Sequence, residues 1–431
     1  MGDEKRISRR EFIKTAGTAG AFLAMGGMSL LTACSSGTKP AATPAATGAA
    51  AGTGAAAGAG AAAKSITDES LRTIGLSVTV QDRILEEFKK ETKVKDVKGT
   101  ASTFPDAMNK ILTSGAKEYD VAEMIGERMP GLWDAGAIHP VPVDQIPNWK
   151  YARPLFTTGL PQFGDAQISA QIYTDDKKSL KMIPSVFNFD SIGYNPDKVD
   201  KITSWTAIFD SKYKGKTALN TDPLIAMPEV AMAMNTLGEL NTKSPGNLTK
   251  EELDTAIKWL ISKKKDGQFR SLWGDFGELV NLMASGEVIV ADAWQPAVMA
   301  VKAQGTNCVY ATPQEGYRAW AIGPMVVKGT NNLEAAIAYA NFWLSGWPAI
   351  TVSEQGYYSP VTTIKDAMPK EKYEFWYEGK PWVGATERGI KEGDLRDGGS
   401  LEERTKHIGV WHQWPKEYDY YVKKWDEFLS A

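Results

Sequence analysis

Cysteine and histidine are scarce in this chain of 431 residues, which has two cysteines and three histidines. Cys34 belongs to an N-terminal signal discussed below, so Cys308 stands alone and no intrachain disulfide is available. His407 and His412 are five residues apart and do not share a helical face as residues four apart do. No metalloprotease, nucleophile-elbow or phosphate-loop pattern occurs. We therefore predict that the chain is not an enzyme and that it carries neither a cofactor nor a resident metal.

An excess of positive charge is also missing. The formal net charge is −3, with acidic and basic residues interspersed along the chain. A protein that binds nucleic acid presents a basic patch or stripe to the phosphates. The composition therefore argues against nucleic acid as a partner.

The N-terminus carries two export signals in sequence. Arg9 and Arg10 are followed by Glu-Phe-Ile-Lys, which resembles a twin-arginine signal. The apolar run that follows is interrupted by glycines and is only weakly hydrophobic, whereas a membrane anchor needs about 20 predominantly apolar residues. Residues 31–34 read Leu-Thr-Ala-Cys and resemble a bacterial lipobox, in which the signal is cut before the cysteine. We predict that residues 1–33 are the signal and that Cys34 carries lipid.

The segment at 34–66 reads as a linker because it consists almost entirely of Ala, Gly, Thr and Pro after the cysteine. Such a composition buries too little apolar surface to offset the entropy of ordering, so we expect a flexible tether. The prediction is a protein exported by the twin-arginine route, lipid-anchored to the membrane, and periplasmic or at the cell surface. We expect it to be a monomer.

The remainder of the chain alternates short β-rich runs with amphipathic helical segments. Strands of similar length separated by such helices indicate βαβ units and a mostly parallel sheet, and the length suits two globular lobes. The predicted strands are 71–76, 94–97, 119–122, 216–219, 288–291 and 319–327, and the predicted helices are 84–91, 105–112, 226–237 and 333–343.

The strand that leads to Asp292 and Trp294 is the clearest place for a ligand. In open α/β sheets, ligands bind outside the carboxyl ends of the strands. Period-two alternation places Asp292 and Trp294 on one face of this strand. One interpretation is a small-molecule site built from an acid and an indole. The other is that Asp292 caps a helix that starts near Pro296.

Four further stretches, in their order along the chain, identify a family. They are Ile-Pro-Ser-Val-Phe with Ile-Gly-Tyr-Asn at 183–187 and 192–195, Ser-Trp-Thr-Ala-Ile-Phe with Tyr-Lys-Gly-Lys at 204–209 and 213–216, Ala-Ser-Gly-Glu-Val at 284–288 leading to Trp294, and Gln-Gly-Tyr-Tyr-Ser-Pro at 355–360. From residue 71 to the C-terminus the chain resembles the periplasmic spermidine/putrescine-binding proteins of ABC importers, within the wider extracellular solute-binding family.

The resemblance implies an α/β, two-lobed periplasmic-binding-protein fold of type II, with a ligand cleft between lobes joined by hinge strands. We expect lobe 1 at 67–187 plus 319–360, and lobe 2 at 188–318 plus 361–431. The family also implies partners: an ABC permease and ATPase subunits that receive a small organic solute. That solute is polyamine-like or another amine.

Site residues follow from the same resemblance. Trp294 and Trp320 fall where the family places tryptophans that sandwich an amine, and an indole face attracts a desolvated cation. Asp222 matches one family carboxylate. Two other family acids are absent, because Ile225 and the residues after Trp320 are apolar, and Glu127 and Asp292 are the candidates to replace them.

Arg318 is foreign to a polyamine site because a guanidinium repels an ammonium. It would pair bidentately with a carboxylate, so one alternative is a zwitterionic ligand, amino-acid-like or opine-like, held by Arg318. The other possibility is an internal ion pair between Arg318 and Asp292 or Glu315.

Aromatic residues leave two further questions open. Tyr357 and Tyr358 form one tyrosine pair and residues 420 and 421 form another, so a ferric-iron binder is a second alternative, since hard iron suits phenolate oxygen. Core packing is the competing interpretation of both pairs, with Tyr357 a candidate for the cleft edge. Trp411 either closes the cleft or anchors the last helix.

Overall fold

A mixed sheet of ten strands runs through the part of the chain that the computed structural model describes, residues 65–160 and 166–431. The predicted signal, the lipid site at Cys34 and nearly all of the linker lie outside these residues. Within the described ranges, no helix combines the length and the apolar character needed to cross a bilayer.

The sheet strands and a separate two-stranded pair are numbered in chain order. They are β1 (Ser70–Gly75), β2 (Asp96–Ala101), β3 (Val121–Ile125), β4 (Val141–Pro142), β5 (Ser179–Leu180), β6 (Val186–Tyr194), β7 (Thr217–Asn220), β8 (Phe269–Trp273), β9 (Val290–Trp294), β10 (Val309–Tyr310), β11 (Tyr317–Val326) and β12 (Ile408–Trp411).

The α-helices of the described residues are numbered in the same way. They are α1 (Asp82–Thr92), α2 (Phe104–Thr113), α3 (Met129–Asp134), α4 (Pro154–Thr157), α5 (Ala166–Ile172), α6 (Pro223–Leu237), α7 (Lys250–Lys265), α8 (Phe276–Ala284), α9 (Gln295–Ala303), α10 (Leu333–Trp343), α11 (Trp347–Ser353), α12 (Ile364–Ala367), α13 (Lys370–Glu378), α14 (Leu401–Lys406) and α15 (Tyr418–Ser430).

Strands β6 and β11 lie at the centre of the sheet, whose order is β2-β1-β3-β11-β6-β9-β7-β8, with β10 added to β6 and β12 to β11. The first half of β6 pairs with β11, and its second half pairs with β9. Conversely, the C-terminal half of β11 pairs with β3. The two long strands therefore cross between the β1–β3 half and the β7–β9 half, as hinge strands do in the two-lobed type II periplasmic-binding-protein fold.

The expectation of a mostly parallel sheet needs correction. The pairings of β11 with β3, β11 with β6, β6 with β9 and β6 with β10 are all antiparallel, and each involves a hinge strand. The remaining pairings in the large sheet are parallel. The βαβ pattern was therefore correct for the lobes, and the hinge strands make the sheet mixed.

Local sequence patterns predicted the positions of these helices better than they predicted where the strands begin and end. The predicted helices 84–91, 105–112, 226–237 and 333–343 all lie within observed helices. Three strands are displaced toward the C-terminus, to β2, β3 and β9. Strand limits depend on which neighbour supplies hydrogen bonds, and that register is not visible in a local pattern.

Helix α6 positions part of the candidate site. Asp222 caps its first turn, since Asp222 Oδ1 accepts a hydrogen bond from Leu224 N at 2.9 Å. The helix ends at Gly238, whose φ of 74° is readily adopted only by glycine. Between these ends the helix is buried almost throughout, in a core that it shares with α7 and α15. Its buried face carries one acid, Glu229, toward β9.

Candidate functional site

Asp190 lies at the centre of the crossing between β6 and β11. Its Oδ1 accepts a hydrogen bond from Trp320 Nε1 at 2.7 Å, and its Oδ2 forms an ion pair with Arg318 Nη1. Arg318 lies opposite Asp190 in the strand register, and Trp320 follows two residues later on the same face of β11. Two side chains of one strand thus hold a single carboxylate of its neighbour.

Aromatic rings surround this carboxylate on the side of β9. Trp294, at the end of β9, is the register partner of Asp190 in the β6–β9 pairing, and a hydrogen bond from its indole favours the ionised carboxylate. The Trp294 ring packs edge-on against Trp273, with centroids 4.8 Å apart. Tyr357 packs edge-on against Trp320 at 6.0 Å. Trp294 and Tyr357 are half-buried, so these rings border accessible space.

Opposing effects act on the pKa of Asp190. Burial raises the pKa of Asp190 above its ordinary value, whereas Arg318 and the two indole N–H groups oppose that rise. Removal of any of these donors would shift the carboxyl toward its protonated form.

Glu127 approaches the same centre from the short 3-10 turn Gly126–Arg128. It is 2 % exposed, and burial raises the pKa of Glu127 to about 8, although Arg318 and Arg128 act in the opposite direction. Its Oε2 is 3.2 Å from His412 Nδ1, in a geometry that is not a hydrogen bond. Burial, followed by the charges of Arg318 and Arg128, lowers the pKa of His412 well below its usual range. His412 is therefore neutral, and its contact with Glu127 is not an ion pair.

Asp222 forms an ion pair as well as a helix cap. Its Oδ2 is 2.9 Å from Arg128 Nη2, and its side chain remains 27 % exposed. The Nε atom of Arg128 has no hydrogen-bond partner among the described residues. Arg128 thus bridges the turn beside Glu127 to the first turn of α6, and Asp222 keeps an accessible edge.

Asp292 does not cap a helix, so that interpretation is wrong. Helix α9 begins after Trp294 with no side-chain cap. Asp292 instead accepts Asn220 N at 2.9 Å and Trp273 Nε1 at 2.6 Å in the interior of the sheet. Burial raises the pKa of Asp292 to about 7, and burial together with the Asp292 charge raises the pKa of Glu229 well above its usual range. Neither carboxyl oxygen of Glu229 has a hydrogen-bond partner among the described residues, so burial and the nearby Asp292 charge favour its protonated form.

The internal ion pair of Arg318 exists, but its predicted partners were wrong. Arg318 pairs with Asp190 and also contacts His412. Glu315 accepts a hydrogen bond from Ser204 Oγ at 2.5 Å and another from Thr236 Oγ1 at 2.9 Å. Asp190 was missed because Asn188 and Ser191 accompany it among the apolar residues of β6, which obscured β6 as a strand.

The remaining candidates lie apart from this centre. Trp411 is 1 % exposed and donates from Nε1 to Gln171 Oε1 at 3.0 Å, so it packs in the core. Tyr358 stacks on Phe187 with centroids 5.4 Å apart, whereas Tyr357 faces Trp320.

The C-terminal tyrosine pair has separate partners too. Tyr420 Oη donates to Asp254 Oδ1 at 2.8 Å, and Tyr421 Oη accepts Leu248 N at 2.5 Å. Neither tyrosine pair converges on a shared point. Over the described ranges, no group of three or more His, Cys, Asp or Glu side chains is arranged to hold a metal ion.

The structure therefore brings four predicted residues together around an unpredicted one. Trp294, Trp320, Arg318 and Tyr357 surround Asp190. Glu127 lies near this group, close to Arg318 and His412. Asp222 is connected to the turn of Glu127 by its ion pair with Arg128. Asp292 contacts Trp273, which packs against Trp294. The residues missed in the sequence are Asp190, Arg128, Glu229 and His412. An acid within a buried apolar strand was the one available signal, since Asp190 has the same context as Asp292.

Comparison with known proteins identifies the family of the chain. A family model described as bacterial extracellular solute-binding protein matches residues 83–375. A putrescine/agmatine-binding protein of Pseudomonas aeruginosa is 23% identical over 274 residues, which cover 60% of this chain and 68% of the relative. A spermidine/putrescine-binding periplasmic protein of Haemophilus influenzae is 24% identical over 307 residues, covering 68% and 75% of the two chains.

A solved structure supports the fold. The spermidine/putrescine ABC transporter substrate-binding protein of Streptococcus pneumoniae superposes with a TM-score of 0.60 at 18% identity, over 84% of this chain and 99% of the other. The family match extends over more than half of the chain and includes both hinge strands. The chain belongs to the bacterial extracellular solute-binding protein family.

Proposed function

We propose that this protein captures a small, polyamine-like amine between its two lobes and delivers it to the permease of an ABC importer. The observation that carries the proposal is the aromatic frame of Trp294, Trp320 and Tyr357 around Asp190. Indole faces attract a desolvated ammonium group by roughly 2 kcal/mol. Because both indoles are held by one carboxylate, they are fixed in orientation before the ligand arrives.

The surplus of titratable acids also favours a cation. The centre holds five carboxyl groups against two guanidinium groups: Asp190, Asp222, Glu127, Glu229 and Asp292 against Arg128 and Arg318. Burial keeps Glu127, Glu229 and Asp292 partly or wholly protonated. An ammonium group placed nearby would stabilise their ionised forms, since an opposite charge favours the charged state. A cationic ligand would thus promote ionisation of these acids and be attracted by the negative charge that they acquire.

The two alternative ligands have less support. A zwitterionic ligand bound through Arg318 would compete with Asp190, which already forms an ion pair with the same guanidinium. A ferric ion would need converging phenolates, whereas Tyr357 and Tyr358 face different neighbours. The names of the relatives point to amines as well, since they mention putrescine, agmatine and spermidine.

The wider setting belongs to the same proposal. The mature protein would be exported by the twin-arginine route, anchored through lipid on Cys34, and act as a monomer without catalysis. Its lobes would be 67–187 plus 319–360 and 188–318 plus 361–431, joined by β6 and β11.

The test is thermal unfolding of the protein without residues 1–34 against putrescine, spermidine, agmatine, γ-aminobutyrate and ferric citrate. A ligand that binds only the folded form adds about 2.7 kcal/mol of stability at a hundredfold excess over its dissociation constant. We expect a higher midpoint with at least one amine. A midpoint raised by γ-aminobutyrate or ferric citrate, and by no amine, would contradict the proposal.

A matched pair of variants tests whether the amine binds at Trp294. Trp294→Ala should reduce the shift caused by the amine to about a third of its wild-type size at the same ligand concentration. Trp347→Ala removes a tryptophan that is also half-buried but packs against Phe342, remote from Asp190. That variant should keep the shift.

A further inference from the structure

Two arginines are buried on the opposite face of the hinge strands from Asp190. Arg404 is 0 % exposed and Arg396 is 3 % exposed. The Arg404 guanidinium lies 5.1 Å from the ring centre of Phe189, the residue before Asp190. It lies 5.3 Å from the ring centre of Tyr317, the residue before Arg318. Successive residues of a strand point to opposite faces, so this cluster and the amine site lie back to back.

Hydrogen bonds link the two arginines to one another through a single oxygen. Gln295 Oε1 accepts from Arg396 Nη2 at 3.2 Å and from Arg404 Nη1. Arg396 also donates to Gly356 O at 3.1 Å and to the carbonyl of Trp376. Both guanidinium groups therefore lie within hydrogen-bond reach of the same atom.

Several donors in this cluster have no partner among the described residues. They are Nε of Arg396, Nε and Nη2 of Arg404, and the hydroxyl group of Tyr358. Both cations lie near the Tyr358 ring, whose centre is 4.1 Å from the guanidinium carbon of Arg396 and 5.6 Å from that of Arg404. Buried donors in proteins are almost always paired, so this set calls for an acceptor.

The cluster also lacks a paired counter-charge, although the charge of Asp397 acts on Arg404 without direct contact between the two charged groups. Neither arginine forms an ion pair with a carboxylate in the described part of the chain. Asp397, the next residue after Arg396, is held 3.1 Å from Lys302 Nζ and accepts Tyr310 N at 3.1 Å. Burial lowers the pKa of Arg396 to about 10, which still leaves it charged at neutral pH. Two buried cations without an anion are costly, and contacts with aromatic faces offset only part of that cost.

We propose that Arg396, Arg404 and Tyr358 bind a small inorganic anion of the chloride class, taken up from solution behind the hinge. The unpartnered N–H and O–H groups would donate to it, and its charge would balance the guanidinium groups. A single-atom anion suits a cluster enclosed by the rings of Phe189, Tyr310, Tyr317 and Trp376.

This anion would also stabilise the amine site, and that part of the inference rests on the proposed function. Gln295 directly follows Trp294, and Gly356 directly precedes Tyr357. The arginines thus hold the backbone and side-chain neighbours of two rings that border the ligand. The segment 393–399 would serve to bring Arg396 to this position.

The first experiment measures thermal midpoints of the ligand-free protein in sodium chloride and in sodium gluconate at equal ionic strength. Gluconate is too large for an enclosed cluster, so it controls for screening. Above the dissociation constant, each tenfold rise in chloride should raise the midpoint by about 2 °C, for a folded part of roughly 365 residues. Equal midpoints in the two salts would overturn the proposal.

Variants locate the effect. Arg404→Gln should lose the chloride-specific shift, whereas Arg270→Gln removes a surface arginine that is 52 % exposed and paired with Glu287, and should keep it. A chloride shift that persists in Arg404→Gln would also overturn the proposal. If Arg404→Gln does not fold, bromide soaked into wild-type crystals decides: anomalous density between Arg396 and Arg404 supports the site, and its absence overturns it. No amine is present in these measurements, so their failure would leave the amine proposal untouched.

Discussion

Replacing Arg318 by methionine tests whether this arginine serves Asp190 or the ligand. The change leaves the Asp190 carboxylate buried without its ion-pair partner. Breaking a buried pair in this way costs about 3–5 kcal/mol because an uncompensated charge remains. With about 2.1 cal/mol/K of unfolding entropy per residue over roughly 365 folded residues, that cost lowers the thermal midpoint by about 4–7 °C.

The double variant Arg318→Met with Asp190→Asn provides the control. It removes both charges, so we expect it to be more stable than Arg318→Met alone. The wild type, Arg318→Met, Asp190→Asn and the double variant together form a double-mutant cycle. Lys212→Met breaks a surface pair with Asp200, in which both side chains are more than half exposed, and should change the midpoint little.

The pH dependence of Arg318→Met gives a second readout. Burial already raises the pKa of Asp190, and loss of Arg318 raises it further. A carboxyl whose folded-state pKa exceeds its unfolded value contributes stability at low pH that is lost as the pH rises through the folded-state value. The variant should therefore lose less stability at pH 5 than at pH 8. Unchanged stability together with lost ligand affinity would refute the reasoning and return Arg318 to the ligand.

Three further predictions follow from individual contacts. Burial raises the pKa of Glu127 from 4.5 to about 8, so its contribution to the stability of the ligand-free protein is present at low pH and declines between about pH 4.5 and 8. Binding of putrescine at pH 7 should consequently release protons, which calorimetry in buffers of different ionisation enthalpy will detect, and Glu127→Gln should reduce this release. Arg128→Met removes the 2.9 Å ion pair with Asp222 between the proposed lobes and should enlarge the ligand-free radius of gyration in X-ray scattering; an unchanged radius would contradict a closing role. A Cβ at Gly323 would lie 2.0 Å from the carbonyl oxygen of Ile183, so Gly323→Ala should cost at least about 1–3 kcal/mol in urea unfolding, and a neutral effect would be inconsistent with this packing.

Much of the fold could be predicted from the sequence because the helices of the lobes follow local sequence patterns. Amphipathic helices such as α1 and α10 have their full period within a few turns, and their predicted positions were confirmed. The order of family motifs supplied the two-lobed architecture. The hinge strands were harder, since β6 is buried at all nine positions and carries Asn188, Asp190 and Ser191 in place of a simple apolar alternation.

The site could be predicted from the sequence only in part, for a physical reason. Trp294 and Trp320 could be located from the family motifs that contain them. Their common partner, Asp190, depends on the antiparallel register between β6 and its two neighbours, and local sequence does not specify that register. The same is true of Arg318, whose partner was expected on β9 or in the loop before β11 and lies on β6.

Long-range contacts explain the other omissions. Arg128 and Asp222 are separated by 94 residues, and His412 reaches Arg318 from the C-terminal segment after β12. Glu229 had no distinguishing feature in the sequence because it sits in a helix rich in Ala and Met. Only the packing of α6 against β9 brings it near Asp292.

Titration calorimetry with putrescine tests the central claim most directly, comparing the wild-type protein with Trp294→Ala. The account predicts one putrescine bound per chain, and a loss of affinity of about thirtyfold in the variant, which corresponds to a cation–π contribution of roughly 2 kcal/mol. Equal affinity in both proteins would contradict an amine held between these indoles.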